Sequence, residues 1–286
     1  HLPFVAMACK EVKKRLPDKK IILGGIGPSA VAKELLGMFD FINAVVVGEG
    51  EDTIIEVVKK AKESFKGIKG LVYKDKDKVY VNEPRPPIED LDRIPLPAYG
   101  GLDFNQYQII DVITSRGCPY GCPFCGLDAI WGRRVRYRSI DNIINELRLL
   151  VATYGARYIL FGDASFIVSK KRTIDLCKRL KEENLEINWD CLIRLDCVDE
   201  ELMRQMQESG CKAVFYGLES GSDNVLKKIK QTITIGKSLE VLHKSIKYFK
   251  TVNVGLMWGF PFEGLDDFKA TLRIRDYLER DLGCEV

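Results

Sequence analysis

The sequence predicts an α/β protein, with a partial doubly wound domain followed by a partial β/α barrel. Short runs that are wholly apolar, such as Ala44-Val45-Val46-Val47, alternate with amphipathic segments, as in parallel sheets covered by helices on both faces. Five β/α units then follow one another after residue 105. Their repeated spacing and the right-handed crossover rule favour a barrel.

Composition limits the classes of function. The chain has 286 residues, 46% of them hydrophobic and 30% charged, as in ordinary globular proteins. A net charge of +3, with acids and bases interleaved, gives no sign of a nucleic-acid partner. No apolar run is long enough for a membrane span, and the start lacks the layout of a signal peptide.

Cysteine usage points to a reducing compartment. Of nine cysteines, three cluster tightly and six are scattered, which indicates a metal site plus reduced core thiols. We therefore expect a cytoplasmic protein. Because the chain starts with His1 and lacks an initiator methionine, we also expect a fragment of a longer protein.

The first predicted domain covers residues 1–82 and alternates helices with strands. Pro28 fits the start of its second helix, because proline is favoured in the first helical turn. A hairpin ends the domain, since two β-type runs flank the polar segment Lys74 to Lys78. The predicted helices are 4–16, 28–36 and 52–65, and the predicted strands are 21–23, 44–47, 71–73 and 79–81.

A linker is predicted at residues 83–105, because five prolines lie between residues 84 and 97. Residues 106–286 then form the second domain, which we expect to lack its last strand. Its predicted strands are 109–114, 158–161, 187–191, 213–216 and 252–258. Its predicted helices are 140–154, 170–184, 199–209, 238–249 and 265–281.

A cysteine motif carries the clearest chemistry. Cys118, Cys122 and Cys125 follow the first strand of the second domain with C-x3-C-x2-C spacing. Structural zinc takes four ligands, whereas a four-iron cluster held by three cysteines leaves one iron open. On spacing alone there are two alternatives: a zinc knuckle completed by a distant cysteine, and a ferredoxin-like electron carrier.

This motif resembles that of the radical S-adenosylmethionine (SAM) superfamily, and further motifs over residues 105–286 strengthen the resemblance. The turn at Gly162-Asp163 departs from the Gly-Gly-Glu form common in that family and is nearer its Asp-containing variant. The resemblance implies that SAM is bound at the ends of successive strands, by Phe124, Gly162, Asp163, Arg194, Glu219, Ser220 and Gly259.

The resemblance also implies the chemistry. A [4Fe–4S] cluster would chelate SAM through its open iron and deliver one electron to the sulfonium, releasing a 5′-deoxyadenosyl radical. The cofactors perform the difficult step, while the protein orients them. The implied partners are a substrate of unknown identity, expected to be a small molecule, and an electron donor such as a flavodoxin or ferredoxin.

Glycine-rich turns follow both early strands and would admit a ligand close to the backbone. Their order resembles the cobalamin-binding domain that precedes one large class of radical SAM domains, as does the linker from Glu89 to Tyr99. The implied cobalamin contacts are Gly24, Gly25, Gly48, Glu49 and Gly50. The alternative is a degenerate α/β domain retained for structure.

The leading hypothesis is therefore a cobalamin-dependent radical SAM enzyme that performs methyl transfer, radical rearrangement or cyclisation. A methylthiotransferase is the alternative, although only Cys9 precedes the linker, where that family carries three more cysteines. A non-enzymatic zinc or iron–sulfur binding module is the third hypothesis. Because both ends would cut through cooperative units, we expect this chain alone to be poorly soluble and to bind little cobalamin.

One basic cluster has no role in these hypotheses. It comprises Arg133, Arg134, Arg136 and Arg138. Its simplest interpretation is a solvated face, and the alternative is that it steers an anionic substrate.

Overall fold

The chain divides into two compact units. The computed structural model describes residues 2–60, 63–107, 109–230 and 232–286, without the side chains of residues 105, 128 and 129. The first unit comprises residues up to 90 together with 125–134, and the second comprises 91–124 together with 135–286. Each unit has its own buried apolar core.

The first unit is built of short helices and strands. In chain order these are α1 (Leu2–Arg15), β1 (Ile22–Leu23), α2 (Ile26–Ala30), α3 (Ala32–Met38), β2 (Ala44–Val46), α4 (Glu51–Lys59), β3 (Leu71–Asp75), β4 (Lys78–Val81) and α5 (Asp128–Trp131).

Its strands form one mixed sheet in the order β1-β2-β3-β4. β1 and β2 are parallel, whereas β3 pairs antiparallel with both β2 and β4. The predicted hairpin is thus confirmed, and it extends the sheet. All of β2 is buried because apolar groups cover both faces: Val46 packs in one cluster with Val57, and Val45 in another with Leu36.

Two predicted helices of this unit differ in the structure. The segment predicted as one helix from Pro28 is split into α2 and α3, because Val31 leaves helical geometry at φ −132° and ψ 35°. α4 ends at Lys59 instead of continuing to Phe65, and Lys60 caps it. Residues 61 and 62, within that predicted helix, lie outside the described residues.

The second unit is larger. Its elements are β5 (Ile110–Val112), β6 (Ser115–Arg116), β7 (Arg136–Tyr137), α6 (Ile140–Tyr154), β8 (Tyr158–Phe161), α7 (Lys170–Glu183), β9 (Asn188–Ile193), α8 (Glu200–Glu208), β10 (Cys211–Glu219), α9 (Asp223–Ile229), α10 (Ile235–Tyr248), β11 (Thr251–Leu256) and α11 (Leu265–Arg280).

Five of these strands form a wholly parallel sheet in the order β11-β10-β9-β8-β5. Helices follow the strands along the chain, which confirms the predicted α/β class and the succession of β/α units. Glu285 pairs in parallel with Asn253 of β11 through an isolated bridge. Because the strands are parallel, their carboxyl ends meet at one edge, where sites form in such sheets.

Polar caps explain where the long helices of this unit begin. The side chains of Ser139, Ser169, Asp199 and Thr234 each accept a hydrogen bond from the backbone N–H three residues later. Such caps satisfy N–H groups that have no partner within the helix. Gly155 and Asn184 end α6 and α7 in the left-handed conformation.

The predicted linker contains short 3-10 turns at Leu91–Arg93, Tyr99–Gly101 and Phe104–Gln106. Tyr99 is buried in the core of the second unit, and its hydroxyl donates to Glu146 Oε1 at 2.5 Å. Arg138 donates to Glu146 Oε2 at 2.5 Å and to the carbonyl of Ile113 at 2.8 Å. A buried ion pair therefore supports the chain just before the cysteine motif.

The basic cluster is consequently not one solvated face. Arg136 is only 5% exposed, and Arg138 has 13% of its side chain exposed. Arg134 fits the solvated interpretation, with 75% of its side chain exposed beside Glu89. The prediction failed for Arg136 and Arg138 because a run of charges does not show which members are buried: Arg136 lies on β7, and Arg138, just after it, binds Glu146.

Candidate functional site

The cysteine motif lies directly after β6, which pairs antiparallel with β7. Gly117 starts the loop with a φ of +99°, a conformation that favours glycine. Cys118 and Cys122 are half-buried, Cys125 is exposed, and all three are free thiols. The loop thus offers soft sulfur ligands with access to solvent, which suits an iron–sulfur cluster.

Asp163 holds the segment that leads into this loop. Its Oδ1 accepts the N–H groups of Thr114 at 2.8 Å and Ser115 at 2.6 Å, and its Oδ2 accepts the Thr114 hydroxyl at 2.6 Å. Burial raises the pKa of Asp163, and these hydrogen bonds oppose the rise. Asp163 does not cap α7, because the side chain of Ser169 does. Its contact with SAM stays a prediction.

Gly162, next to Asp163, lies against a carboxylate. A Cβ atom at Gly162 would lie 2.1 Å from Asp111 Oδ1, so no side chain fits there unless Asp111 moves. Asp111 and Asp190 occupy one row of the sheet, on either side of Leu160. Burial raises the pKa of each of these carboxyls. Neither carboxylate is predicted from the sequence, because nothing in the local sequence shows that the two residues share a row.

Arg194 follows β9 and reaches the cysteine loop. Its Nη1 lies 3.7 Å from Cys122 Sγ, and its guanidinium stacks on the Tyr120 ring at 3.8 Å. Asp196 binds the other side of the guanidinium through two hydrogen bonds, at 2.8 and 2.7 Å. Burial alone would raise the pKa of Asp196, but hydrogen bonds from Arg194 and Thr232 bring it below its ordinary value.

Glu219 ends β10 in a strained conformation, with a φ of +73°. Its Oε1 accepts a hydrogen bond from Lys230 Nζ at 2.9 Å, and Lys230 also donates to the Gly217 carbonyl at 2.6 Å. Ser220 is fully buried, with its hydroxyl 3.2 Å from that of Thr271. Lys230, which no sequence motif indicates, therefore fixes the Glu219 carboxylate.

Aromatic rings and a tight turn form another part of the site. Phe124 contacts Phe260 edge to face, with ring centroids 6.0 Å apart. Gly259 has a φ of +88°, and its N–H donates to Glu263 Oε2 at 2.5 Å. Phe124 and the loop after β11 are thus brought together in the second unit, as expected if both contact one ligand.

In the first unit, the glycine turns after β1 and β2 lie at one edge of the sheet, because these two strands are parallel. Ser29 joins this edge, donating to the Val46 carbonyl at 3.2 Å and accepting from the Gly48 N–H at 3.4 Å. Gly25 and Gly48 have positive φ angles, and Gly24 and Gly50 each lie near Val46. Glu49 instead faces inwards, where Oε2 accepts the Ile88 N–H at 2.6 Å.

A cavity of about 830 Å³ lies between β11 and α11 in the second unit. Asn253 and Arg275 supply polar groups, and Phe215, Trp258 and Phe268 supply aromatic ones.

Among the described residues, no three His, Cys, Asp or Glu side chains form a group that could hold a single metal ion. No helix in the described ranges is both long enough and apolar enough to cross a membrane.

Comparison with known proteins identifies the family. The sequence profile described as the Radical SAM superfamily matches residues 112–274. A protein named as an uncharacterized methyltransferase, from Pyrococcus horikoshii, is 35% identical over 97% of this chain and 62% of its own length. The anaerobic magnesium-protoporphyrin IX monomethyl ester cyclase of Rubrivivax gelatinosus is 29% identical over 77% of this chain and 42% of its own.

A solved structure shares the fold. The radical SAM methyltransferase TsrM from Kitasatospora setae, with cobalamin and a [4Fe–4S] cluster bound, superposes with a TM-score of 0.81 at 18% identity. The match covers 96% of this chain and 57% of TsrM. The present chain thus spans only part of the length of these proteins. Since the superfamily profile covers more than half of its residues, the chain belongs to the radical SAM superfamily, whose enzymes use a [4Fe–4S] cluster and SAM.

Proposed function

We propose that this chain is the catalytic part of a cobalamin-dependent radical SAM enzyme that transfers a methyl group to a small molecule. The observation that carries the proposal is the C-x3-C-x2-C loop at the carboxyl end of a parallel sheet, with Asp163 and Arg194 fixed against it. When bound, the cluster supplies the electron that cleaves SAM. The second candidate reaction is radical rearrangement or cyclisation of the substrate, which would start from the same cleavage of SAM.

In this proposal Cys118, Cys122 and Cys125 hold the cluster. Asp163 keeps the start of the loop in place, because its carboxylate binds the backbone of Thr114 and Ser115. A loop fixed in this way holds its thiolates without a large change of shape on cluster binding.

SAM would contact Phe124, Gly162, Arg194 and Gly259 together with the Glu219–Ser220 turn. Lys230 holds the Glu219 carboxylate in one orientation, so that its second oxygen is positioned for a ligand. A carboxylate fixed by a buried lysine suits the hydroxyl and ammonium groups of SAM, because charge-assisted hydrogen bonds are among the strongest in proteins.

The variant Glu219→Ala tests this assignment. It removes an acceptor from the proposed SAM site but leaves the cysteine loop intact, so SAM affinity should fall about tenfold, as for a lost charged hydrogen bond. Iron content should not change. Equilibrium binding of SAM to the anaerobically reconstituted protein measures the first quantity, and iron analysis the second. Unchanged SAM affinity would remove Glu219 from the site.

Cobalamin is proposed to bind the protein at the edge formed by Gly24, Gly25, Gly48 and Gly50. The parallel strands bring these turns together, and glycines let a ligand approach the backbone closely. Glu49 is proposed to support the edge from inside through its bond to Ile88, and not through a bond to cobalamin.

A pair of glycine variants in the complete protein tests the cobalamin proposal. Gly48→Ala and Gly67→Ala introduce similar strain, because the two glycines have φ angles of +82° and +80°. Only Gly48 belongs to the proposed edge. Visible spectra after cobalamin addition should therefore show weaker uptake for Gly48→Ala alone. Equal uptake by the two variants would place cobalamin elsewhere.

Methyl transfer is preferred to methylthio transfer because the relative that is 35% identical carries the name methyltransferase. Before the linker, Cys9 is the single cysteine of the sequence, and it is buried in α1.

The electron donor is proposed to be a small carrier protein such as a flavodoxin or ferredoxin. Incubation of the reduced, reconstituted protein with SAM should release 5′-deoxyadenosine or S-adenosylhomocysteine, and formation of neither product would contradict the proposal.

A further inference from the structure

Arg194 is fixed by contacts on every part of its guanidinium group. Nε and Nη2 donate to the two oxygens of Asp196, Nη2 also donates to Thr232 at 3.3 Å, and Nη1 donates to Cys122 Sγ. A guanidinium carries five N–H donors. These four hydrogen bonds therefore engage most of its capacity, and they direct Nη1 at a cysteine of the motif.

The neighbours of Arg194 are themselves held in place. Thr232 donates its hydroxyl to Asp196 Oδ2 at 2.5 Å, which orients the carboxylate that binds the guanidinium. Below the guanidinium, the Tyr120 ring is tied down by its hydroxyl, which lies 2.8 Å from Cys197 Sγ. Only 11% of the Arg194 side chain is exposed. The positive charge beside Cys122 is thus fixed in position and shielded from solvent.

We propose that Arg194 sets the reduction potential of the iron–sulfur cluster through its hydrogen bond to Cys122. This inference rests on the proposed function, in which Cys122 is a cluster ligand. Reduction adds an electron, so the reduced cluster carries more negative charge than the oxidised one. A fixed cation and an N–H donor at a ligand sulfur stabilise the reduced form more, which raises the potential.

The inference gives Arg194 a role distinct from SAM binding. A residue that only bound SAM would leave the potential of the SAM-free cluster unchanged when altered. Arg194 contacts Cys122 directly, so its effect on the cluster should appear before SAM is added. The two roles are therefore separable by experiment.

The test is a redox titration of the anaerobically reconstituted protein without SAM, followed by electron paramagnetic resonance of the reduced cluster. Arg194→Met should lower the ratio of reduced to oxidised cluster about tenfold at a fixed potential, which corresponds to a shift of about 59 mV for one electron. Arg194→Lys should lower the reduction potential by less, because lysine keeps the positive charge but lacks the forked guanidinium that binds Asp196 and Cys122 together.

Arg204→Met is the matched control, because it removes an exposed arginine that pairs only with Glu208 among its described contacts. Its titration should coincide with that of the unchanged protein. An unchanged potential in Arg194→Met would overturn the inference, and a loss of SAM affinity in that variant would then make Arg194 a SAM ligand alone. If Arg194→Met fails to hold a cluster, Arg194→Lys decides instead, and an unchanged reduction potential in that variant would overturn the inference. Failure of the unchanged protein to assemble a cluster would contradict the proposed function instead.

Discussion

At the scale of single residues, Asp163 shows how a buried carboxylate supports a site. It receives the backbone N–H groups of Thr114 and Ser115 and is only 1% exposed. Asp163→Ala would leave these buried donors without their acceptor, at a cost of about 1–3 kcal/mol each. We expect this variant to unfold more easily in urea and to retain less iron than Asp163→Asn, which keeps one acceptor oxygen. Equal losses in the two variants would contradict this role.

The titration of Asp163 gives a pH dependence. Because burial raises its pKa by more than its hydrogen bonds lower it, the folded protein holds the Asp163 proton more tightly than the unfolded chain does. The stability that this proton contributes is fully present below the ordinary pKa of 3.8 and is lost as pH rises through the higher pKa of the folded state. The stability of the unchanged protein relative to Asp163→Asn should therefore fall over the pH range above 3.8, the ordinary pKa of the carboxyl. Urea unfolding across this range measures the difference, and a difference that grows with pH would contradict it.

Sequence motifs indicated the cysteines and the glycines of the turns, since spacing and residue type carry that information. They did not indicate Asp111 or Asp190, which share a row through the register of strands distant in sequence. Nor did they indicate Lys230, which reaches Glu219 from the end of α9. Nor did they indicate the link between Tyr120 and Cys197, which are 77 positions apart. Contacts of this kind depend on how distant segments of the chain align in the fold, and a local sequence pattern does not contain that information.

At the scale of elements, the contact between Gly162 and Asp111 joins the ends of β8 and β5. A methyl group at position 162 would overlap the Asp111 carboxylate at 2.1 Å. Gly162→Ala should therefore lower the free energy of unfolding by about 2 kcal/mol, which is typical of overpacking. The double variant Gly162→Ala with Asp111→Ala should lose less than the sum of the single variants, because the overlap is relieved.

Gly236→Ala is the control for this prediction, because a Cβ atom there meets nothing within 4 Å and the residue lies in α10. It should leave stability unchanged or raise it by up to about 1 kcal/mol. Urea unfolding followed by tryptophan fluorescence suits the comparison, since Trp189 is buried in the core beside Phe161. If the double variant loses as much unfolding free energy as the two single variants added together, the overlap with Asp111 does not explain the destabilisation by Gly162→Ala.

Long periodic elements were predicted well and short ones were missed. α6 was predicted at its observed bounds, 140–154, because its apolar positions repeat over a long window and Ser139 caps it. β6 and β7 have two residues each, too few to show alternation, and α5 and α9 are also short. The missed β6–β7 pair frames the cysteine loop, so the part of the fold nearest the site was the hardest to predict.

At the scale of the whole molecule, exposed apolar side chains determine how the chain behaves in solution. Phe4 and Met7 on α1 are 74% and 69% exposed, and Ile55 and Val58 on α4 are 52% and 68% exposed. Each pair is three residues apart and so shares a helix face. Exposed apolar faces of this kind favour association, and we expect the 286-residue chain to form oligomers that dissociate on dilution.

Light scattering coupled to size-exclusion chromatography tests this prediction. Combining Phe4→Ser with Val58→Ser should shift the population towards monomer, whereas Leu265→Ser, at an equally exposed position in the second unit, should not. A monomer at all concentrations would contradict the expectation. The prediction concerns this chain alone, which spans 62% of its relative from Pyrococcus horikoshii.

Metal analysis after anaerobic reconstitution is the direct test of whether Cys118, Cys122 and Cys125 hold a four-iron cluster. We expect about four irons and four sulfides per chain, with broad visible absorption that is lost in each single cysteine-to-alanine variant of the motif. Cys197→Ala should keep the cluster, because Cys197 lies outside the motif, next to Tyr120. A colourless protein that holds one zinc ion and loses it in Cys197→Ala would contradict the cluster assignment, since Cys197 would then be the fourth ligand of a closed zinc site.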